Sequence, residues 1–201
     1  RWSKLKKFSY SLFGLIDRAY SQNSETYNYL KRLNVKNIKS IGNIKFIDDY
    51  KIKSDKSDRK LFSQFKKYKI FIAASTHETE ELFAAKTHIL LKKKNKNIIT
   101  IIIPRHINRV KQIITEISKL GLNIATRSSK KSKLKNIDIF VVDTFGETKK
   151  FYKIATTVFL GKSIVKGGGQ NPLEPARFGA KILHGPDVDN FKDVYKYLSK
   201  L

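Results

Sequence analysis

Cysteine is absent from the 201 residues, which removes disulfide frameworks, cysteine-based zinc sites and thiol nucleophiles together. Methionine is absent too, even at position 1, so Arg1-Trp2-Ser3 is expected to be the cut edge of a longer protein. No apolar run is long enough to span a bilayer. The strongest, Ile98-Ile99-Thr100-Ile101-Ile102-Ile103, is far short of the about 20 residues required, and it reads as a buried strand. The four histidines (His77, His88, His106 and His184) lack helical ligand spacing, so neither a metal nor a cofactor is expected. Neither a Gly-x-Ser-x-Gly elbow nor a Walker loop occurs, which argues against hydrolase and P-loop chemistry.

Arginine is scarce: it supplies only eight of the 42 basic residues. What is present in excess is lysine, and the formal charge reaches +25. A nucleic-acid partner would favour arginine, whose planar fork reads guanine and phosphate, so none is expected. Abundant Ile and Asn beside the Lys match codon drift in a low-GC genome, and the excess is spread along the chain. A narrower function survives in Lys4-Leu5-Lys6-Lys7-Phe8, with Phe13 and Leu15 following. A lysine close to anionic lipid contributes about 1 kcal/mol, so this run can face an anionic membrane surface, although a solvated helix face looks the same. With 40% hydrophobic and 11% aromatic residues, the chain can bury a sizeable core.

From residue 69 onward, short β-branched runs alternate with helical periods, the pattern of βα units around a parallel sheet. Strands are expected at 69–74, 98–103, 122–126, 137–142, 157–160 and 181–183. Helices are expected from about Glu78, over 107–120, and near 147–155, 173–178 and 190–200. Residues 1–46 read as the end of another α/β domain, with helices to Gly14 and over 24–33 and strands at 16–20 and 38–41. Residues 47–60 are polar and read as a linker, leaving 61–201 as a Rossmann-like domain.

Ligands of such sheets bind outside the carboxyl ends of the strands, and four of those ends carry unusual residues. Gly167-Gly168-Gly169-Gln170-Asn171-Pro172-Leu173-Glu174-Pro175 leads a glycine-rich loop into a helix, with Asn171 as cap and Glu174 three residues on. Free N–H groups and a helix dipole of about 0.3–1 kcal/mol per charge make this an anion site, although a capped helix after a flexible loop would read alike. Pro104-Arg105-His106 follows the strongest strand, and Arg105 can grip a phosphate or carboxylate. Asp143-Thr144-Phe145-Gly146-Glu147 and Ser75-Thr76-His77-Glu78 complete the set. The Ser75-x-x-Glu78 spacing equally fits a capping box.

In this order, the four loops resemble the C-terminal half of the 3-deoxy-D-manno-octulosonic acid (Kdo) transferases. The matching segments are Ala74-Ser75-Thr76-His77-Glu78, Pro104-Arg105-His106, Asp143-Thr144-x-Gly146-Glu147, Gly168-Gly169-Gln170-Asn171-Pro172-Leu173-Glu174-Pro175 and His184-Gly185-Pro186 with Asn190-Phe191. Upstream, Ser21-Gln22 and Gly42-Asn43-Ile44-Lys45-Phe46 resemble the end of that family's first domain. Thr79 stands where glycine is common and Gln170 where histidine is common.

The resemblance implies an α/β fold of the GT-B glycosyltransferase class: a C-terminal Rossmann-like donor domain over 61–201, preceded by the tail of the N-terminal acceptor domain. It implies transfer of Kdo from CMP-Kdo to a lipid A precursor (lipid IVA) in lipopolysaccharide biosynthesis, inverting and without a metal. By position, Pro104, Arg105, Phe145, Gly146, Glu147, Asn171, Pro172, Leu173 and Glu174 would line the CMP pocket. Lys45, His77, Ser163, Gly169 and Gln170 are further candidates, Lys45 and Ser163 for the donor's negative groups. The acidic general base would lie before position 1, leaving residues 1–201 inactive alone. The implied location is the cytoplasmic face of the bacterial inner membrane. Two other classes remain open: a different GT-B nucleotide-sugar transferase or epimerase, and a basic module binding nucleic acid or membrane.

Overall fold

The computed structural model describes residues 2–42, 56–129 and 134–200. The chain divides into two compact units, Arg1–Lys51 and Ile52–Leu201.

In the first unit a 3-10 turn over Trp2–Lys4 leads into helix α1 (Lys6–Gly14), followed by strand β1 (Ala19–Ser21), helix α2 (Ser24–Arg32) and strand β2 (Ile38–Ser40). The first strand lies three residues later than the expected 16–20. Asn23 caps α2, its side chain accepting from Thr26 N at 2.8 Å, and Glu25 sits in the first turn where the dipole favours it. The two strands pair in parallel, Ala19 opposite Ile38. On α1 only Ser9 is buried, its hydroxyl donating to the Trp2 and Leu5 carbonyls; Leu5, Phe8, Leu12 and Leu15 face solvent.

The second unit opens with helix α3 (Lys56–Phe65), so residues 56–60 of the expected linker are helical. Residues 47–55 of it lie outside the described residues. Next come β3 (Lys69–Thr76), α4 (Glu80–Lys94), β4 (Ile98–Pro104), a 3-10 turn over Ile107–Arg109 and α5 (Val110–Ser118). The remaining elements are β5 (Ile124–Thr126), β6 (Ile139–Val141), α6 (Thr148–Tyr152), β7 (Thr157–Leu160), α7 (Leu173–Arg177), β8 (Lys181–His184) and α8 (Lys192–Leu198). Six strands form one sheet in the order β5-β6-β4-β3-β7-β8, every pair parallel.

Alternation along β3 explains the layering. Ile70, Ile72 and Ala74 face Phe65, Phe140, Phe151 and Val158, whereas Phe71 and Ala73 face Ala84, Ala85, Val110, Ile113 and Ile117. Helices therefore cover both faces, as a parallel sheet requires. β4 is buried along its whole length, and each fully buried Ile contributes about 1.5–3 kcal/mol. Gly121 ends the helical stretch before β5 with φ +69°, a left-handed stop suited to glycine.

Candidate functional site

Because all six strands run the same way, the loops after β3, β4, β6 and β7 leave one edge of the sheet. The chain builds outward from β3 on one side and returns on the other with β7, so β3 and β7 flank the switch point, where ligand crevices form. Neighbouring strands are about 4.8 Å apart, so the span from β6 to β7 is roughly 14 Å. Arg105 after β4, Phe145–Glu147 after β6 and Asn171–Glu174 after β7 thus all follow strands at the same edge of the sheet.

One buried carboxylate organises the switch point. Glu80, fully buried in the first turn of α4, accepts four backbone N–H groups. His77 and Lys162 donate to Oε2 at 2.9 and 2.7 Å, and Ser163 and Ile164 to Oε1 at 3.0 and 3.2 Å. This fastens the loop after β7 to the loop after β3. The Ser75–Glu78 capping box that the spacing allows does not form: Ser75 lies within β3, at a break in its register, with φ +54°, and the residue before α4 is Thr79 with φ +74° and no side-chain cap. Lys162 is also left-handed, at φ +57°. Three non-glycine residues in this unfavourable region at one strand edge store about 1–3 kcal/mol each.

Above this floor stand cations. Arg105 is exposed, its backbone N–H bonded to the Thr76 carbonyl at 3.0 Å, and its guanidinium has no partner among the described residues. His77 meets His106 edge to face at 5.6 Å. Burial, then the His106, Lys162 and Arg105 charges, hold the His77 imidazole below its usual range against the opposing pull of Glu80. Glu81 pairs with Arg109 at 3.0 Å, and burial pushes its carboxyl up.

The loop after β6 is a stiff post with a bare tip. Glu147 takes the Arg127 fork at 3.0 Å from both Nε and Nη2, with Thr144 and Lys150 as further donors; Asp58 on α3 binds the same Arg127 and Lys150. Burial pushes the Glu147 carboxyl up, but the bonds from Arg127, Thr144 and Lys150 win and leave it below its usual range. Its carboxylate is therefore committed within the protein. The tip it carries is free: Phe145 is 89% exposed, and Gly146, at φ +78°, has open space beside it.

The glycine loop differs from expectation. Gly167 and Gly168 N–H groups already donate to Asp187 Oδ2 at 2.6 and 3.1 Å, and Gly169 N–H to the Lys162 carbonyl at 2.8 Å. A carboxylate twenty residues on thus occupies what the sequence presents as a free anion cradle, and those bonds hold the Asp187 carboxyl below its usual range. Gly168 needs φ +80°, and a Cβ there would strike Asn190 at 2.2 Å. The glycines serve packing. Helix α7 starts one residue later than an Asn171 cap would set it, with Pro172 before it, yet Asn171 Oδ1 still accepts from Leu173 N at 3.2 Å, as a capping side chain does.

Ser163 is likewise corrected. Its hydroxyl is buried, donates to the Leu160 carbonyl at 2.6 Å and accepts from Gly185 N at 2.8 Å, so it faces no ligand. Gln170 is half-buried, and its carbonyl accepts from Tyr195. Glu174 and Leu173 stand in the first turn of α7, and Pro104 ends β4, where the sequence suggested. Lys45 lies outside the described residues. Glu80 and Lys162 were missed as site residues. Three acids at positions 78, 80 and 81 mark the start of α4, but only helical phase decides which turns inward. Among the described residues, no cluster of metal-ligating side chains occurs and no helix is long and apolar enough to cross a membrane.

No protein-family model matches the chain. Among curated proteins, the 3-deoxy-D-manno-octulosonic acid transferase of Rickettsia prowazekii is 30% identical over 195 residues, covering 97% of this chain and 42% of that protein. The protein of that name from Haemophilus influenzae is 31% identical over 201 residues, covering 98% of this chain and 44% of its own. The chain thus spans less than half the length of these relatives. Among solved structures, the C-terminal CMP-Kdo binding domain of WaaA from Acinetobacter baumannii matches with a TM-score of 0.64 at 23% identity, over 72% of this chain and 76% of that one. That likeness is one of fold, the α/β architecture of GT-B glycosyltransferase domains.

Proposed function

Since the chain belongs to the 3-deoxy-D-manno-octulosonic acid transferase family, we propose that its second unit is the donor domain of a Kdo transferase, holding CMP-Kdo at the carboxyl edge of its sheet. The observation that carries this reading is that partnerless Arg105, the exposed Phe145-Gly146 tip and the Asn171–Glu174 turn all follow strands at the edge of the sheet that holds the switch point. Arg105 receives the phosphate, as a guanidinium fork suits it. Phe145 offers a ring face to the cytosine, with the Pro104 and Gly146 backbones beside it. Glu174, which has no hydrogen-bond partner among the described residues, accepts from the ribose hydroxyls.

The reaction on this reading transfers Kdo to a lipid A precursor, lipid IVA, with inversion and without a metal, as a step of lipopolysaccharide biosynthesis. The buried and paired carboxylates of this edge, Glu80, Glu81, Asp143 and Glu147, are tied to N–H groups, a hydroxyl and cations. With Glu174 engaged by the ribose hydroxyls on this reading, the acid that deprotonates the acceptor is sought elsewhere in the protein. The exposed stripe Leu5, Phe8, Leu12 and Leu15, with Lys4, Lys6 and Lys7 beside it, supports contact with anionic lipid at the cytoplasmic face of the inner membrane.

The nucleotide is the test. Thermal melts should show CMP protecting the chain more than UMP or UDP at equal concentration, and Arg105→Ala should abolish that protection while shifting stability by no more than about 0.5 kcal/mol. Equal protection by the uridine nucleotides would point to another GT-B sugar-nucleotide enzyme.

A further inference from the structure

β7 passes into its loop through Gly161-Lys162-Ser163, beside the carboxyl end of β3. Gly161 is required: a Cβ would come within 2.5 Å of the Ser75 carbonyl oxygen and 2.6 Å of Glu80 Oε2. Lys162 follows in the left-handed region at φ +57°, where a side chain is unfavourable. The conformation persists because Glu80 over-determines it. The Lys162 N–H is bound at 2.7 Å, and the next two N–H groups go to the other carboxylate oxygen. The side chain has a set course as well. Its stem runs along Gly167, where a Cβ would lie 2.6 Å from Lys162 Cγ and 3.1 Å from Cε. The ammonium at its end has no acidic partner among the described residues.

We propose that Lys162 binds the carboxylate of the donor's sugar acid, while Arg105 takes the nucleotide phosphate. This deepens the CMP-Kdo reading and rests on it. A nucleotide-linked octulosonic acid carries two separate negative groups, a phosphodiester and a carboxylate. Two cations without acidic partners stand at this edge, one on each side of β3: Arg105 after β4 and Lys162 after β7. Both act on the His77 imidazole between them. A planar guanidinium suits the phosphate, and a compact ammonium suits a single carboxylate. His77 does not supply a third charge at neutral pH, since burial and these neighbours keep it neutral. A neutral-sugar nucleotide would leave Lys162 unanswered, so the residue discriminates as well as binds.

The variants are Lys162→Asn, which removes the charge while tolerating left-handed backbone, and Gly167→Ala, which displaces the stem from its groove. CMP and CMP-Kdo are titrated calorimetrically into each full chain. Lys162→Asn should weaken CMP-Kdo about tenfold and CMP less than twofold, the loss of one charge-assisted contact. Gly167→Ala should move CMP-Kdo in the same direction by a smaller factor. Equal losses for both ligands would assign Lys162 to the phosphate and overturn the proposal, as would no loss for either. A wild-type chain that binds no CMP would overturn the donor reading itself, and this assignment with it.

Discussion

Helix α4 carries polar groups at both ends of its buried face, and the two ends differ in the backbone around them. Glu80, Glu81, Ala84, Ala85 and His88 form one inward stripe, so the acids and the histidine are separated by roughly 12 Å of helix. At the His88 end the polar groups gather on one carboxylate, Asp138. His88 Nδ1 lies 3.0 Å from Thr100 Oγ1, and Nε2 is 3.5 Å from Asp138, which also binds Lys92 and the backbone and side chain of Asn123. At the Glu80 end the carboxylate is saturated, but its surroundings are not. Ser75, Thr79 and Lys162 are left-handed there, and His77 Nε2 and Arg109 Nη2 are buried without hydrogen-bond partners, as His88 Nε2 is at the other end. Backbone strain is what separates the two ends, and it falls at the end where we propose that the donor binds.

The strongest test is a matched pair, Glu80→Gln and Asp138→Asn. Each replaces a buried, multiply bonded carboxylate and should cost about 2–4 kcal/mol in chemical denaturation. Only Glu80→Gln should also abolish CMP binding. If Asp138→Asn abolished it too, the two ends would not be separate in function.

A medium effect comes from pH. Burial, foremost, holds both His77 and His88 below the usual imidazole range. A histidine depressed in the fold leaves stability intact above the unfolded value of about 6.5. Below that, the unfolded chain takes up a proton that the folded chain resists, and stability is lost down to the folded pKa. Melting temperature should therefore fall between pH 7 and 5. His88→Gln should flatten the slope more than His77→Gln, because His88 is wholly enclosed and His77 only half-buried. The depressed carboxyls of Asp138 and Glu147 add a separate loss only as pH falls through their lower range, beneath about 4. An unchanged slope in His88→Gln would mean that burial at that end does not exclude the proton.

The smallest effect is a gain. Thr79→Gly should raise stability by about 1 kcal/mol, because glycine holds φ +74° without the Cβ penalty. No gain in a denaturant titration would remove Thr79 from the strained set.

Much of this was legible in the chain. The run 98–103 announced the central strand, Val110, Ile113 and Ile117 announced the buried face of α5, and the order of the loop motifs announced the family. Period and turn chemistry are local, so sequence carries them. The loops' sharing of one edge followed from βα alternation alone, since successive parallel strands return their carboxyl ends to the same side. Partnership was not legible. The Gly167 and Gly168 N–H groups, open on paper, belong to Asp187. Glu147 is spent on Arg127, and Ser163 on Gly185. Glu80, one acid among three, turned out to join two loops 82 residues apart. Spacing decides what a residue can offer; which group accepts the offer depends on segments distant in sequence that only the packed sheet brings within 3 Å.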